Sequence, residues 1–123
     1  GTPTPPPSPP STTSDDRLKT RVSEIHNVLD KINNLTTFKY TPNELAKSLG
    51  IKNKGTELGI SAQQVAQDFP ELIDISEIDK GSDEKSISGE NYLTIDYARL
   101  TVILLQAIKE LSKKVENLEK TAV

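Results

Sequence analysis

The stretch DYARLTVILLQAIKELSKKVENLEK, residues 96–120, decides the fold class. Within it Leu104, Ile108, Leu111, Val115 and Leu118 step by 4, 3, 4 and 3, and Leu100, Ile103 and Ala107 broaden the face. That rhythm belongs to an amphipathic helix with a coiled-coil seam. Asp96 ahead of it is a good N-cap, because its carboxylate can accept the free N–H groups of the first turn. Glu110 and Glu116 stand four residues before Lys114 and Lys120, the favoured order for ion pairs along a helix.

A second seam lies near the other end. Leu18, Val22, Ile25, Leu29 and Ile32 repeat the 4, 3, 4, 3 spacing, with Val28 and Leu35 widening the stripe. The spacing predicts a helix of about twenty residues from Asp15 to Leu35, with Asp15 and Asp16 at the positive end of its dipole. Neither helix is long enough to be a stable isolated coiled coil, so both seams want partners.

Between them the signals are short. Thr37–Thr41, Glu57–Ile60, Glu71–Ile78 and Asn91–Ile95 read as strands, and Gly59 suits a close approach of backbone. Pro42 to Leu49 reads as a helical turn stopped by Gly50. Ser61 and Gln64 form a capping box for a helix through Asp68, ended before Pro70. Residues 79–90 read as a polar loop. The class is α+β: two long seamed helices around a few short strands.

Composition narrows the function. The chain has 123 residues, room for one domain. Residues 1–13 are one glycine, six prolines and six Ser/Thr, a composition that gives an extended, polyproline-like linker rather than a helix. The rest, 14–123, is the folding unit. The apolar fraction is 33% and the aromatic fraction 4%, lean for a self-sufficient core, so oligomerisation is expected. Zero cysteines exclude disulfides, thiolate metal sites and thiol nucleophiles, and a single histidine, His26, excludes multi-histidine cages. No metal or cofactor is expected. A net charge of −3 argues against nucleic acid, and no apolar run is long enough to span a membrane. The acids Asp74, Asp79, Asp83 and Glu84 lack the spacing of a calcium loop.

One group of residues carries chemistry: Ser14-Asp15-Asp16-Arg17-Leu18-Lys19. On local grounds Ser14 is an N-cap and Lys19 an exposed helical lysine. The other reading is a Ser/Lys dyad, in which a desolvated neutral lysine takes the hydroxyl proton. Five residues along a regular helix turn a side chain about 140° away. The dyad therefore requires Ser14 to fold back from the helix end, or a lysine from another subunit.

The chain resembles the endosialidase-type intramolecular chaperone domain, found at the C-terminus of phage tailspikes and tail fibres and inside myelin regulatory factor. The matching pieces are the Ser14–Lys19 segment, Phe38-Lys39-Tyr40, Leu58–Val65 with Phe69–Leu72, Tyr92–Tyr97, and Leu100 to Leu111. They cover nearly all of 14–119. The resemblance implies a homotrimer in a phage tail precursor that helps the upstream part of its own chain to fold, then cuts itself off. The cut would fall between Thr13 and Ser14, with Ser14 as nucleophile and Lys19 as general base. The trimer seam would comprise Leu18, Val22, Ile25, Leu29, Leu104, Ile108, Leu111, Val115 and Leu118. The sequence departs from the family in having a proline-rich linker, not a β-rich stem, before Ser14. Two rivals stand beside this reading: a non-catalytic trimerisation module, and an adaptor whose PxxP spacings (Pro3–Pro6, Pro7–Pro10) are the working part.

Overall fold

The computed structural model describes residues 12–122, so all but Thr12 and Thr13 of the expected linker lie outside the described residues. In chain order the elements are α1 (Leu29–Ile32), β1 (Thr37–Tyr40), α2 (Glu44–Ser48), β2 (Glu57–Ile60), α3 (Ala62–Asp68), β3 (Ile73–Ile75), β4 (Leu93–Ile95) and α4 (Tyr97–Thr121). Short 3-10 turns at Asp16–Leu18, Pro70–Leu72 and Glu77–Asp79 punctuate them. The described residues are α+β, with two separate two-stranded antiparallel sheets.

The C-terminal seam forms as one helix of 25 residues. Asp96 caps it, its Oδ1 accepting the Arg99 N–H at 3.0 Å. The parts of its apolar stripe have different fates. Leu100, Ile103 and Ala107 close the core with Val28, Val65, Phe69 and Leu72. The seam Leu104, Ile108, Leu111, Val115 and Leu118 flanks that stripe and runs on beyond it towards the C-terminus, and it is exposed. One chain thus uses the broader half of the stripe and leaves the heptad half uncovered.

The N-terminal helix expected over 15–35 does not form as such. The structure has the 3-10 turn at 16–18, an arm without regular structure over 19–28, and the four-residue α1. Leu18 and Val22 are 76% and 96% exposed. A helix of this length draws its stability from packing its apolar face, and within one chain the N-terminal half of the stripe has nothing to pack on. Asn27 at φ 57° breaks the helical path outright. Leu18, Val22, Ile25 and Leu29 therefore do not share one helix face, and the architecture has one long helix rather than two.

The β1–β2 ribbon pairs Phe38 with Gly59 and Tyr40 with Glu57. A Cβ on Gly59 would sit 2.8 Å from Tyr40 Cε1, so the glycine is what lets the tyrosine ring lie across the ribbon. The Tyr40 hydroxyl then donates to Glu57 Oε2 at 3.0 Å. Gly50, at φ 92°, stops α2 in the left-handed conformation that favours glycine. Half of the capping box at α3 is made. Ser61 Oγ accepts the Gln64 N–H at 3.2 Å, while the Gln64 side chain reaches Thr36, accepting its N–H at 3.0 Å.

In the second sheet Ile73 pairs with Ile95 and Ile75 with Leu93. The strand expected over 71–78 is shorter than that. Pro70 opens a 3-10 turn that buries Leu72, and Ser76 caps another.

The polar loop is organised around Asp79, a buried carboxylate. Its Oδ2 accepts from Ser86 Oγ at 2.5 Å and Ser88 Oγ at 2.6 Å. These hydroxyls, with the Ser88 N–H, hold its carboxyl below the ordinary range against the opposing effect of burial. A lowered folded value stabilises above the unfolded pKa of about 4, and the stabilisation is lost as pH falls through the folded value. Acidification below pH 4 and Asp79→Ala at neutral pH should both lower the protection of amides against exchange across 77–91, relative to their intrinsic rates at the same pH. Unchanged exchange in the alanine variant would show that the carboxylate does not hold the loop.

Candidate active site

Ser14 and Lys19 are brought together by the turn between them. Asp15, not Ser14, is its cap: Asp15 Oδ1 accepts the Arg17 N–H at 2.9 Å. The same carboxylate is gripped by the Arg17 guanidinium, Nε to Oδ1 at 3.1 Å and Nη2 to Oδ2 at 2.8 Å. The guanidinium first, and then the backbone N–H, hold the Asp15 carboxyl below its ordinary range. Backbone bonds from Leu18 to Asp15 and from Lys19 to Asp16, 3.0 and 3.2 Å, complete the turn.

The two residues that flank this turn have extended backbone next to them, at Asp15 and Lys19. That is why the objection from helical geometry does not apply. Three residues of a 3-10 turn, with extended chain on either side, fold the ends towards each other, and Lys19 Nζ donates a hydrogen bond to Ser14 Oγ. The contact lies within one chain. Thr13, Ser14 and Lys19 are all exposed.

Chemically, a hydroxyl in hydrogen-bond reach of an amine is the minimal nucleophile–base pair. Here the hydroxyl belongs to the residue whose own N–H side forms the Thr13–Ser14 peptide bond. Its Oγ is therefore close in the chain to the carbonyl carbon that it would attack.

The remaining seam residues divide by location. Leu18, Val22 and Ile25 lie on the turn and the arm, Leu29 on α1, and Leu104, Ile108, Leu111, Val115 and Leu118 on α4. His26 joins Ile25, Val28, Lys31, Phe69 and Val102 around an open groove of about 510 Å³ beside the core. Among the described residues no group of three or more His, Asp or Glu side chains could hold a metal ion, and no helix is long and apolar enough to cross a membrane.

One residue that matters here is not signalled by the sequence. Glu110, assigned there to an ion pair with Lys114, instead reaches across to α1. Its Oε1 accepts the N–H groups of Val28 and Leu29, both at 3.1 Å. Gln106 Nε2 donates to its Oε2 at 3.2 Å. Partial burial alone would push the Glu110 carboxyl up, but the Leu29 and Val28 N–H groups, with Gln106 and His26, hold it below its ordinary range. Lys114 meanwhile lies 3.9 Å from Asp30 of α1. Spacing along one helix has no means of signalling a partner that is 82 residues away.

Residues 14–74 match the model of a peptidase-named family described as chaperone of endosialidase. The matched segment begins at the serine of the Ser14–Lys19 pair. Long tail fiber protein Gp37 of Enterobacteria phage K3 is 33% identical over 106 residues, covering 86% of this chain and 8% of that protein. The protein of the same name from Enterobacteria phage T2 is likewise 33% identical over 106 residues, 86% of this chain and 7% of its own length. The counterpart from Enterobacteria phage M1 is 29% identical over 107 residues, 86% of this chain and 38% of its length. The chain thus spans well under half of the relatives it matches.

Proposed function

Residues 14–74 of this chain belong to the chaperone of endosialidase family, and from that premise we propose a trimerising intramolecular chaperone at the end of a phage tail fibre that releases itself by cutting Thr13–Ser14. The single observation that carries the cutting is the Lys19–Ser14 hydrogen bond, made at the first residue of the family match. The partner is the upstream part of the same precursor, and the setting is fibre assembly.

In the proposed reaction the neutral Lys19 amine takes the Ser14 Oγ proton while Oγ attacks the Thr13 carbonyl carbon. The tetrahedral intermediate collapses with cleavage of the Thr13–Ser14 C–N bond, and the Lys19 ammonium returns its proton to the departing amine. The acyl group then rests as an ester on Ser14 Oγ. Water hydrolyses that ester, leaving a Thr13 carboxylate and restoring the hydroxyl. A lysine acts as base only when it is stripped of water, and one chain leaves Lys19 exposed. Packing of three chains on the exposed stripes is the proposed source of that burial, so cutting waits for assembly.

The chaperone role has a physical rationale in the same stripes. Register is the slow step for an intertwined fibre, because distant loops must close before contacts reward them. A terminal clamp on α4 makes the search local, and scission then makes assembly irreversible in practice.

Lys19→Arg tests the dyad. Arginine keeps the charge but stays protonated in proteins, so the variant should assemble and remain uncut on a denaturing gel. Cutting at the wild-type rate would make Lys19 structural and leave the plain trimerisation module as the better reading.

A further inference from the structure

We infer that Glu110 is a positioning residue for the scission, holding from α4 the end of the arm that carries Lys19 and Ser14. The inference rests on the self-cleavage reading and adds to it a mechanical link between the assembly helix and the cutting site.

The arm over 19–28 has no regular structure, and its residues up to Asn27 are exposed. It is fixed at its far end, where Val28 is buried at 3% exposure. The residue before, Asn27, takes a left-handed turn, and Val28 opens α1 with no side-chain cap of its own. The free N–H groups at that start would otherwise need water or another acceptor. Glu110 supplies the acceptor, with one oxygen 3.1 Å from both N–H groups, and a negative charge there also suits the α1 dipole. Glu110 lies on α4 three residues after the buried Ala107, so the helix that carries the seam also holds the end of the arm. The catalytic pair sits on the free side of the same arm. The anchor thus sets where the pair lies against the packed chains proposed to strip Lys19 of water, and a misplacement of about 1 Å costs on the order of 100-fold in rate.

The contacts distinguish reach from charge. Glutamine places a carbonyl oxygen where Oε1 stands and can accept both N–H groups. Aspartate keeps the charge but falls short by one methylene, about 1.5 Å. The experiment compares Glu110→Ala, Glu110→Gln and Glu110→Asp in the full chain, with scission rate by gel, assembly by sedimentation, and amide exchange in a Ser14→Ala background. The expected result is an assembled alanine variant cut on the order of 100-fold more slowly, glutamine restoring most of the rate, and aspartate failing. Exchange should rise in 19–29 and stay unchanged over 111–120. Alanine chains cut at the wild-type rate would overturn the positioning role alone. So would a variant that fails to assemble, which would make Glu110 a folding residue, and so would rescue by aspartate but not glutamine. An uncut wild-type trimer would instead defeat self-cleavage, and the positioning role with it.

Discussion

Leu111→Asp should give a folded monomer that is not cut. Leu111 follows Leu104 and Ile108 and precedes Val115 and Leu118 on the exposed face of α4. At 50% exposure it lies outside the buried core, to which α4 contributes Leu100, Ile103 and Ala107. Aspartate there should therefore leave the isolated fold close to intact. In the proposed trimer the same position is central to the seam, and three unpaired carboxylates would be buried by symmetry. Each buried leucine is worth about 1.5–3 kcal/mol, and an unpaired buried charge adds a further penalty even after it neutralises. A loss of several kcal/mol is a large part of the stability of a small domain. Sedimentation should report monomer and a gel should show intact chain. A trimeric aspartate variant would refute the seam, and a monomer that still cuts would show that the Ser14–Lys19 pair needs no other subunit.

Ser14→Ala should abolish cutting completely while the proposed trimer still assembles. Ser14 is exposed and lies outside both stripes. Because Asp15 is the cap of the turn, the alanine does not even remove a cap, a loss that would cost about 1 kcal/mol. The substitution deletes the oxygen that Lys19 contacts and little else. A fragment beginning at residue 14 from this variant would mean that another group supplies the nucleophile.

What the sequence revealed depended on whether the information was local. The C-terminal helix was legible because its cap, stripe and length agree within 25 residues. β2 and α3 were legible from turn and cap residues next to them, and the close approach at Gly59 from the glycine itself. The N-terminal seam misled, because a heptad pattern records what a segment can bury and says nothing about which chain provides the surface. Leu18 and Val22 keep that pattern while lying exposed on an arm. The Ser14–Lys19 contact was half legible: the residue types pointed to it, but a regular helix would turn the two side chains apart, which left a fold-back of Ser14 or a lysine from another subunit. The Asp15–Arg17 fork, which makes the 3-10 turn, resolved the conflict. Glu110 and Asp79 were not legible in these roles, because their partners are set by tertiary folding and by a loop without period.

The central claim is that an assembled chain cuts itself before Ser14. Native and denaturing intact-mass spectrometry of the wild-type precursor, with its natural upstream sequence in place, tests it most directly. The expected result is a denatured fragment whose N-terminus is Ser14 and whose native mass is three times its chain mass. A native trimer of intact chains, stable over the time that the upstream part takes to fold, would contradict it.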